Sequence, residues 1–439
     1  MSNAYKPFIF KLPTIDVSDA YKDNSVITTT NINQPLISLG FHSFIHRTRD
    51  AMSITKKLET KNKFYYVVNP FEDTINDYKE SISQVADDYM NKPNIVSRYF
   101  YKMWEILYMF DLASKDKMVM AGLAEGPGSF IQAFIEFREQ FYDPSNDTIY
   151  GQTMTEIDKG MVEAMNKRYG DMIDIIKNSK EKLPSVKPKK GTKKTTMLPT
   201  DGDITKVPTI EYIRNSIKEP VDLVTADGKI ETSELNYIEQ SSYGLLLGQI
   251  ITAISISAKG GSFVLKCFDT FTHNTIKIIG LLTSFYDNVY LYKPFTSRDT
   301  NMERYIICKG FQYNHKDDKL SNKIKLLEET LKECKTDIFI NDIFPKMHLK
   351  DDVLNIFKYI NITQTNIQQI NINKVVSYIK SNNYFGDMYH SYREGQIRAN
   401  KWWIEHFFTD KHNDMDALVK ETCNYNDSEM HLFIKKLVE

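Results

Sequence analysis

The chain has 439 residues, of which 41% are hydrophobic and 26% are charged, and its formal net charge is −1 at pH 7. These values are typical of a folded protein large enough for two or three units. They exclude a polycation that would hold a nucleic acid through its overall charge, so any such binding must use locally concentrated positive charge.

The cysteine and histidine pattern gives no metal or disulfide signal. The four cysteines are Cys267, Cys308, Cys334 and Cys423, and no two of them have CxxC spacing. The nine histidines supply no partners at zinc-finger intervals. We therefore expect no structural metal, no disulfide framework and a reducing, intracellular compartment such as the cytoplasm.

No segment has the pattern of a signal peptide or a membrane span. The apolar stretch Phe8–Phe10 is too short for the core of a signal peptide. The longest uncharged run, 240–258, contains Ser, Thr and Gln, and such a run favours a buried helix over a transmembrane helix. No membrane partner is expected.

The chain divides into three regions. Residues 1–95 form a mixed α+β extension, with a strand-like segment Phe64–Val68 and a helix-like segment 76–91. Residues 96–312 alternate between short apolar runs and helical segments, and 313–439 is mainly helical and polar. The predicted domains are therefore 1–95, 96–312 and 313–439.

The central region predicts an α/β fold. Apolar runs typical of strands recur at Met118–Leu123, Thr148–Gly151, Val221–Ala226, Ser262–Lys266, Asn288–Leu291 and Tyr305–Cys308. Helical segments such as Phe130–Gln140 and Ile238–Ala258 separate them, which indicates βαβ units and a mostly parallel sheet. Ligands bind beyond the carboxyl ends of the strands in such sheets. A lysine-rich insert at 177–200, with eight lysines and two prolines between Lys177 and Lys194, is expected to be an exposed loop.

A glycine turn follows the first apolar run, in the sequence Leu123-Ala-Glu-Gly-Pro-Gly-Ser-Phe130. Glycines at a strand-to-helix turn let a ligand approach the backbone closely, although such turns also merely connect elements. No Lys follows as in a P-loop, and Ile131 stands where a dinucleotide fingerprint has its third glycine. The acid Glu125 disfavours a phosphate and suits a cationic ligand.

Two further acidic segments lie at ligand-facing positions. Asp201-Gly-Asp-Ile-Thr205 has an acid that can accept from an adenine amino group and an apolar neighbour that can pack on the ring. Asp227 ends the strand 221–226, at the edge where a ligand would lie. On the residues alone, a surface turn is the favoured reading of the first segment, and a capping role is the alternative for the second.

In this order the motifs resemble the FtsJ/RrmJ-type RNA 2′-O-methyltransferases, especially their cap-specific branch. Glu125–Phe130 is similar to that family's methionine-side loop, and Asp201–Thr205 to the adenine-contacting segment of the cap enzymes. Asp222–Gly228 and Gly260–Lys266 look like the fourth and fifth strands. The resemblance covers about 96–312 and implies a Rossmann-like methyltransferase with a mostly parallel, mixed seven-stranded sheet flanked by helices.

The family's Lys-Asp-Lys-Glu tetrad can be carried over residue by residue. Lys102 lies in a helical segment before the glycine turn, Asp227 and Lys266 end strands, and Glu303 follows the pair Ser297-Arg298 just before the last strand. The resemblance implies that Lys266 is the base. A lysine can serve as one only if burial or a neighbouring cation, here Lys102, lowers its pKa. The two acids would aim the lysines, and the step needs no metal.

The implied methyl donor is S-adenosyl-L-methionine. Its predicted contacts are Glu125, Gly126, Pro127, Gly128, Ser129, Phe130, Thr153, Asp203, Ile204 and Asp227. Two positions depart from the family pattern. Gly122 stands where many members have an acid, for which Glu125 is the candidate substitute, and Ser129 replaces a more usual glycine.

The resemblance implies methyl transfer to the ribose 2′-hydroxyl of the first or second transcribed nucleotide of 5′-capped mRNA. Ribosomal or transfer RNA as substrate, and a catalytically silent RNA-binding subunit, are the alternatives. Such extended cap enzymes occur in eukaryotes and large DNA viruses, so we expect a viral source, the host cytoplasm or virion as location, and a capping-machinery protein as partner.

The candidate RNA contacts are the lysine-rich insert, Arg298 and Arg304. The tryptophans of Lys401–Phe407 either stack bases or, as the favoured reading, anchor helices in a core.

Overall fold

The computed structural model describes residues 5–30, 39–58, 64–72, 95–126, 128–154, 173–175, 201–230, 235–314, 317–334, 339–382, 384–412 and 415–438. The strands are β1 Phe8–Lys11, β2 Val26–Thr29, β3 Val119–Leu123, β4 Thr148–Gly151, β5 Ile173–Ile175, β6 Val221–Ala226, β7 Ser257–Cys267, β8 Tyr286–Lys293, β9 Arg304–Phe311 and β10 Phe339–Ile343.

The α-helices are α1 Leu39–Asp50, α2 Tyr99–Phe110, α3 Ser129–Phe141, α4 Val207–Ser216, α5 Ile238–Ser241, α6 Tyr243–Ile256, α7 His273–Phe285, α8 Asp318–Glu333, α9 Asp351–Lys380, α10 Asp387–Phe407 and α11 Asp416–Val438. Short 3₁₀ helices span Ser18–Tyr21, Ala51–Lys57, Phe64–Val68, Pro144–Asn146 and Leu235–Tyr237.

The main sheet has the strand order β1-β8-β9-β7-β6-β3-β4-β5. The strands β7, β6, β3, β4 and β5 are parallel to one another, while β9 is antiparallel to both β7 and β8. The predicted α/β class with a mostly parallel, mixed sheet is confirmed for the seven strands from β3 to β9. An eighth strand was not predicted: β1 pairs antiparallel with β8.

Strand register brings four chain segments to one edge of this sheet. Leu123, the last residue of β3, pairs with Ala226, the last residue of β6, and Ala226 also pairs with Leu265 of β7. Because β9 is antiparallel, it begins at this edge, where Arg304 pairs with Cys267. The glycine turn, Asp227, the end of β7 and the residues just before β9 therefore lie together.

The helices cover both faces of the sheet, as apolar strands with no polar face require. On one face α4, α6, α7 and α8 pack into a core with the strands. On the other face α2, α3 and α10 form the second core, which buries Trp104 and Trp403 completely. The predicted helix Phe130–Gln140 is confirmed as α3, and the segment Lys401–Phe407 forms the C-terminal end of α10.

Two predicted elements differ in the structure. The segment Phe64–Val68 is a 3₁₀ helix rather than a strand: its valines and Phe64 pack on Tyr378 and other residues of α9, so tertiary contacts override the strand propensity of the sequence. The predicted single helix Ile238–Ala258 is divided at Ser242, and its last two residues belong to β7.

The extensions are attached to the central region through strands and helices. Besides β1, the N-terminal region supplies β2, which pairs antiparallel with β10 of the C-terminal region. The C-terminal region is otherwise helical, as predicted. The predicted helix 76–91 and the insert 177–200 lie outside the described residues. In the part of the chain that is described, no helix is long and apolar enough to cross a membrane.

Candidate active site

Four predicted side chains meet at the sheet edge as two ion pairs. Lys102, on the first turn of α2, donates a hydrogen bond to Glu303 Oε1. Lys266, near the end of β7, lies with its Nζ 2.9 Å from Asp227 Oδ1 and 2.7 Å from the Asp227 main-chain oxygen. Each of these side chains is at most 9% exposed, so the charges interact with little screening by water.

Burial and charge pull the pKa values of these groups in different directions. Burial lowers the pKa of Lys102, and Glu303 offsets this only in part. Burial also acts to lower the pKa of Lys266, but the Asp227 and Glu303 carboxylates outweigh it and raise this pKa. A lowered pKa is thus found for Lys102, through burial and the nearby Arg98 rather than through Lys266, whereas the pKa of Lys266 changes in the opposite direction to the expected one.

The two acids also differ. Burial acts to raise the pKa of Glu303, but Lys102 and Lys266 overcome it and lower the value to about 2. The pKa of Asp227 is raised, because burial outweighs the attraction of Lys266. Glu303 is therefore the fixed negative charge of the site.

A short loop between β8 and β9 holds Glu303 in place. The buried Lys293, which sequence reasoning missed, donates to the carbonyl oxygens of Asn301 and Glu303, both at 2.9 Å. Tyr305 Oη donates to Glu303 Oε1 at 3.2 Å, and Ser297 Oγ lies 3.5 Å from the same oxygen. The signal in the sequence was a lysine at the end of an apolar strand, the same signal that pointed to Lys266.

Gln152, directly after β4, connects the glycine turn with the second acidic segment. Its Oε1 accepts from Ala124 N at 3.0 Å, its main-chain oxygen accepts from Glu125 N at 2.9 Å, and its Nε2 donates to the Gly202 main-chain oxygen at 2.8 Å. Two segments that the sequence suggested as parts of one pocket are thereby brought together. The prediction named the neighbouring Thr153, which is partly buried, and missed Gln152.

The backbone conformation of the glycine turn would let a ligand approach the main chain closely. Ala124 has φ of 53°, and Gly128, which precedes α3, has φ of 77°, a left-handed conformation that favours glycine. Gly126 N donates to the Ala124 oxygen at 3.1 Å. Ser129 is buried with its Oγ 2.7 Å from Ser97 Oγ, and the buried Phe130 ring lies 5.8 Å from that of Tyr305. Pro127 lies outside the described residues.

The carboxylate of Glu125 is buried between this turn and the ion pairs. Its Oε1 is a buried oxygen with no hydrogen-bond partner among the described residues. Burial, reinforced by Asp227, raises its pKa well above the ordinary value. A Cβ on Gly122 would lie 2.7 Å from Glu125 Cγ, so the small residue leaves room for the Glu125 side chain. A bound cation would compensate this carboxylate, and the site fits a ligand with amino and sulfonium groups.

The residues of Asp201–Thr205 divide between surface and core. Asp201 pairs with Lys206, and Asp203 Oδ1 accepts from the amide and hydroxyl of Thr205 at 3.0 and 2.7 Å. Ile204 is buried, and its carbonyl oxygen packs against Gly248. Both carboxylates thus already make local hydrogen bonds or ion pairs of the kind found in surface turns.

The candidate RNA contacts are distributed differently from the prediction. Arg304 is 1% exposed and donates to the Phe268 main-chain oxygen at 3.1 and 2.8 Å, so it is a structural residue and the prediction for it was wrong. Arg298 is bound to Glu72 at 2.7 and 2.9 Å. Trp403 is buried and donates to Glu105, which confirms the favoured reading that it anchors a core. The lysine-rich insert lies outside the described residues.

The strand order and the glycine turn at the carboxyl end of β3 define a Rossmann-like methyltransferase fold. Residues 95–311 match the family model described as FtsJ-like methyltransferase. No group of three or more His, Cys, Asp or Glu side chains arranged to hold a metal ion is found within the described residues.

Curated relatives match part of the chain. A protein of Trypanosoma cruzi called cap-specific mRNA (nucleoside-2′-O-)-methyltransferase 1 is 31% identical over 212 residues, which are 48% of this chain and 52% of that protein. The protein of the same name in Mus musculus is 38% identical over 162 residues, 35% of this chain and 19% of its own length. The chain thus spans about half of the first relative and about a fifth of the second.

Solved structures with a similar fold include a ribosomal RNA methyltransferase from Plasmodium falciparum, with 15% identity and a TM-score of 0.29 over 49% of this chain and 98% of that one. Another is a class I S-adenosylmethionine-dependent methyltransferase from Listeria monocytogenes, with 10% identity and a TM-score of 0.32 over 67% of this chain and 99% of that one.

Proposed function

We propose that the chain transfers a methyl group from S-adenosylmethionine to the ribose 2′-hydroxyl of the first or second transcribed nucleotide of capped mRNA. The observation that carries this proposal is the pair of buried Lys-carboxylate contacts, Lys102 with Glu303 and Lys266 with Asp227, beside the glycine turn at one sheet edge. The names of the curated relatives support the cap as the substrate.

The glycine turn would hold the methyl donor, with Glu125 facing its cationic groups and Gln152 fixing the turn to Gly202. When bound, S-adenosylmethionine supplies the methyl group and a positive charge at its sulfur. Glu125 suits this task because an oxygen of its buried carboxyl group has no hydrogen-bond partner among the described residues and can accept from an ammonium group. The positive charge of the donor would offset the burial that raises the pKa of Glu125.

We assign proton acceptance to Lys266 from its contacts with Asp227. A neutral amine has two N–H donors and one lone pair. One donor can keep the hydrogen bond at 2.7 Å to the Asp227 main-chain oxygen while Asp227 Oδ1 stays 2.9 Å from Nζ, and the lone pair is then left to take the hydroxyl proton. Since the raised pKa keeps Lys266 protonated at neutral pH, a nearby cationic ligand must lower it, and the rate should rise with pH.

The first experiment compares Lys266→Met with Lys259→Met, an exposed lysine on the same strand. The assay measures transfer of labelled methyl groups to a short capped RNA and binding of S-adenosylhomocysteine. We expect Lys266→Met to lose at least a hundredfold in rate while it binds S-adenosylhomocysteine normally, and Lys259→Met to behave as the unmodified chain. Full activity of Lys266→Met would overturn the mechanism.

A second comparison tests the cap preference. The same RNA sequence is supplied with and without a 5′ cap, alongside ribosomal and transfer RNA. Methylation confined to the nucleotides next to the cap supports the proposal. Equal rates on capped and uncapped RNA would assign the enzyme to another RNA, and no methylation of any RNA by the purified chain would favour the silent binding subunit. The capping-machinery partner, the cytoplasmic or virion location and the viral source stay predictions.

A further inference from the structure

Tyr99 lies between the two lysines of the site. It is the first residue of α2, one helical turn before Lys102. Lys102 Nζ lies 4.1 Å from the centre of the Tyr99 ring, and Lys266 Nζ lies 5.7 Å from the same point. One aromatic ring therefore contacts the ammonium groups of both ion pairs. Sequence reasoning did not select it, because an aromatic residue near a helix start is an ordinary core feature.

The backbone of Tyr99 is fixed toward the glycine turn. Its amide donates to Ser97 Oγ at 3.2 Å, and Ser97 Oγ in turn lies 2.7 Å from Ser129 Oγ at the start of α3. The ring packs against the second core, on the α2–α3 side of the sheet, and stays half-buried. Tyr99 is thus held between the predicted donor loop and the four charged side chains.

A ring face attracts an ammonium group through its quadrupole, and the attraction is strongest where water is excluded. Lys102 is otherwise held at its end by the Glu303 carboxylate, and Lys266 by the carboxylate and the main-chain oxygen of Asp227. A shared ring adds a further fixed point for both lysines. It also restrains two like charges that repel each other.

We propose that Tyr99 is a positioning residue, whose ring face holds Lys102 and Lys266 in the arrangement that receives the target ribose. The inference rests on the proposed function. The hydroxyl of Tyr99 has no part in it, because both lysine contacts are made with the ring. Since the 2′-hydroxyl must come within hydrogen-bond reach of Lys266, the target nucleotide must enter beside this ring.

The test compares Tyr99→Phe, which keeps the ring face, with Tyr99→Leu, which keeps apolar volume without it. Tyr142→Leu is the matched control, because Tyr142 is a partly buried tyrosine that an arginine contacts at 4.9 Å, on the far end of α3. We expect Tyr99→Phe and Tyr142→Leu to keep kcat within about twofold. Tyr99→Leu should lose about 3- to 30-fold in kcat, the range of one or two such contacts.

Two readouts separate positioning from a general structural effect. Binding of S-adenosylhomocysteine should be the same for Tyr99→Leu and Tyr99→Phe. The ring favours the charged lysine, so in Tyr99→Leu the acid limb of the kcat–pH profile should move to lower pH. Equal kcat for both Tyr99 variants, whether normal or reduced, would overturn the proposal.

An NMR titration of ¹³Cε-labelled lysines keeps the inference independent of the assigned reaction. Tyr99→Leu should lower the pKa of Lys102 relative to Tyr99→Phe, even if no RNA is methylated by the chain. An unchanged titration in Tyr99→Leu would refute the role of Tyr99, whereas a changed titration without any RNA methylation would refute the proposed function alone.

Discussion

Glu303→Gln tests the electrostatic account of the site. The carboxylate is almost fully buried and accepts from Lys102, with Tyr305 Oη at 3.2 Å on the same oxygen. Its pKa is lowered from 4.5 to about 2, and at about 1.4 kcal/mol per pKa unit this corresponds to about 3 kcal/mol in favour of the charged form. The neutral amide loses that term and leaves Lys102 as a buried cation without its carboxylate.

We therefore expect Glu303→Gln to lower the free energy of unfolding by about 3 kcal/mol at pH 7, measured by urea denaturation. Because the pKa of Glu303 is lower in the folded than in the unfolded chain, its carboxylate stabilises the folded chain at pH values above the unfolded pKa, near 4.5. This stabilisation is lost as the pH falls towards 2, the pKa in the folded chain. The difference between variant and unmodified chain should shrink over that range.

Glu219→Gln is the matched control for Glu303→Gln. Glu219 pairs with Lys117 at 3.0 Å on the surface, where such a pair contributes at most about 1 kcal/mol. The reasoning would be refuted if Glu303→Gln were as stable as Glu219→Gln at pH 7, or if its deficit stayed constant below pH 4.

Two glycine substitutions test close packing next to the donor loop. In Gly122→Ala the new Cβ would lie 2.7 Å from Glu125 Cγ, so we expect weaker binding of S-adenosylhomocysteine by about tenfold in calorimetry; unchanged affinity would count against the role of Glu125. In Gly248→Ala the Cβ would lie 2.3 Å from the Ile204 oxygen, and we expect a loss of about 1 to 3 kcal/mol in urea denaturation. Gly395→Ala lies on a helix, and no heavy atom is within 4 Å of its new Cβ. This substitution should instead be neutral or stabilising by up to about 1 kcal/mol. Equal effects of Gly248→Ala and Gly395→Ala on stability would contradict the packing argument.

The central sheet could be predicted because its strands carry their own signal. Five consecutive apolar residues, as in Val119–Leu123, suit a strand that is buried on both faces. The edge strand Phe8–Lys11 was missed, because its partner β8 lies about 280 residues later in the sequence and no local pattern reports such pairing. Phe64–Val68 has strand-forming residues, yet its packing on α9 makes it helical.

The candidate site was predictable in its residue types and less so in its charge balance. Lys266 and Asp227 stand at strand ends, and the family resemblance supplied Lys102 and Glu303. The pKa directions could not be predicted, because they depend on which acid contacts which lysine: Lys102 is fully buried with Glu303, while Lys266 lies against both the carboxylate and the carbonyl of Asp227. The contacts of Tyr99 with the two lysines could not be predicted either, because they depend on the three-dimensional structure.

The most direct measurement is a mass-spectrometric map of methylation on capped RNA incubated with the purified chain and S-adenosylmethionine. The account predicts one new methyl group on the 2′-oxygen of the first or second transcribed nucleotide, and its loss with Lys266→Met. Methylation on a base, or at the 2′-oxygen with Lys266→Met fully active, would contradict it.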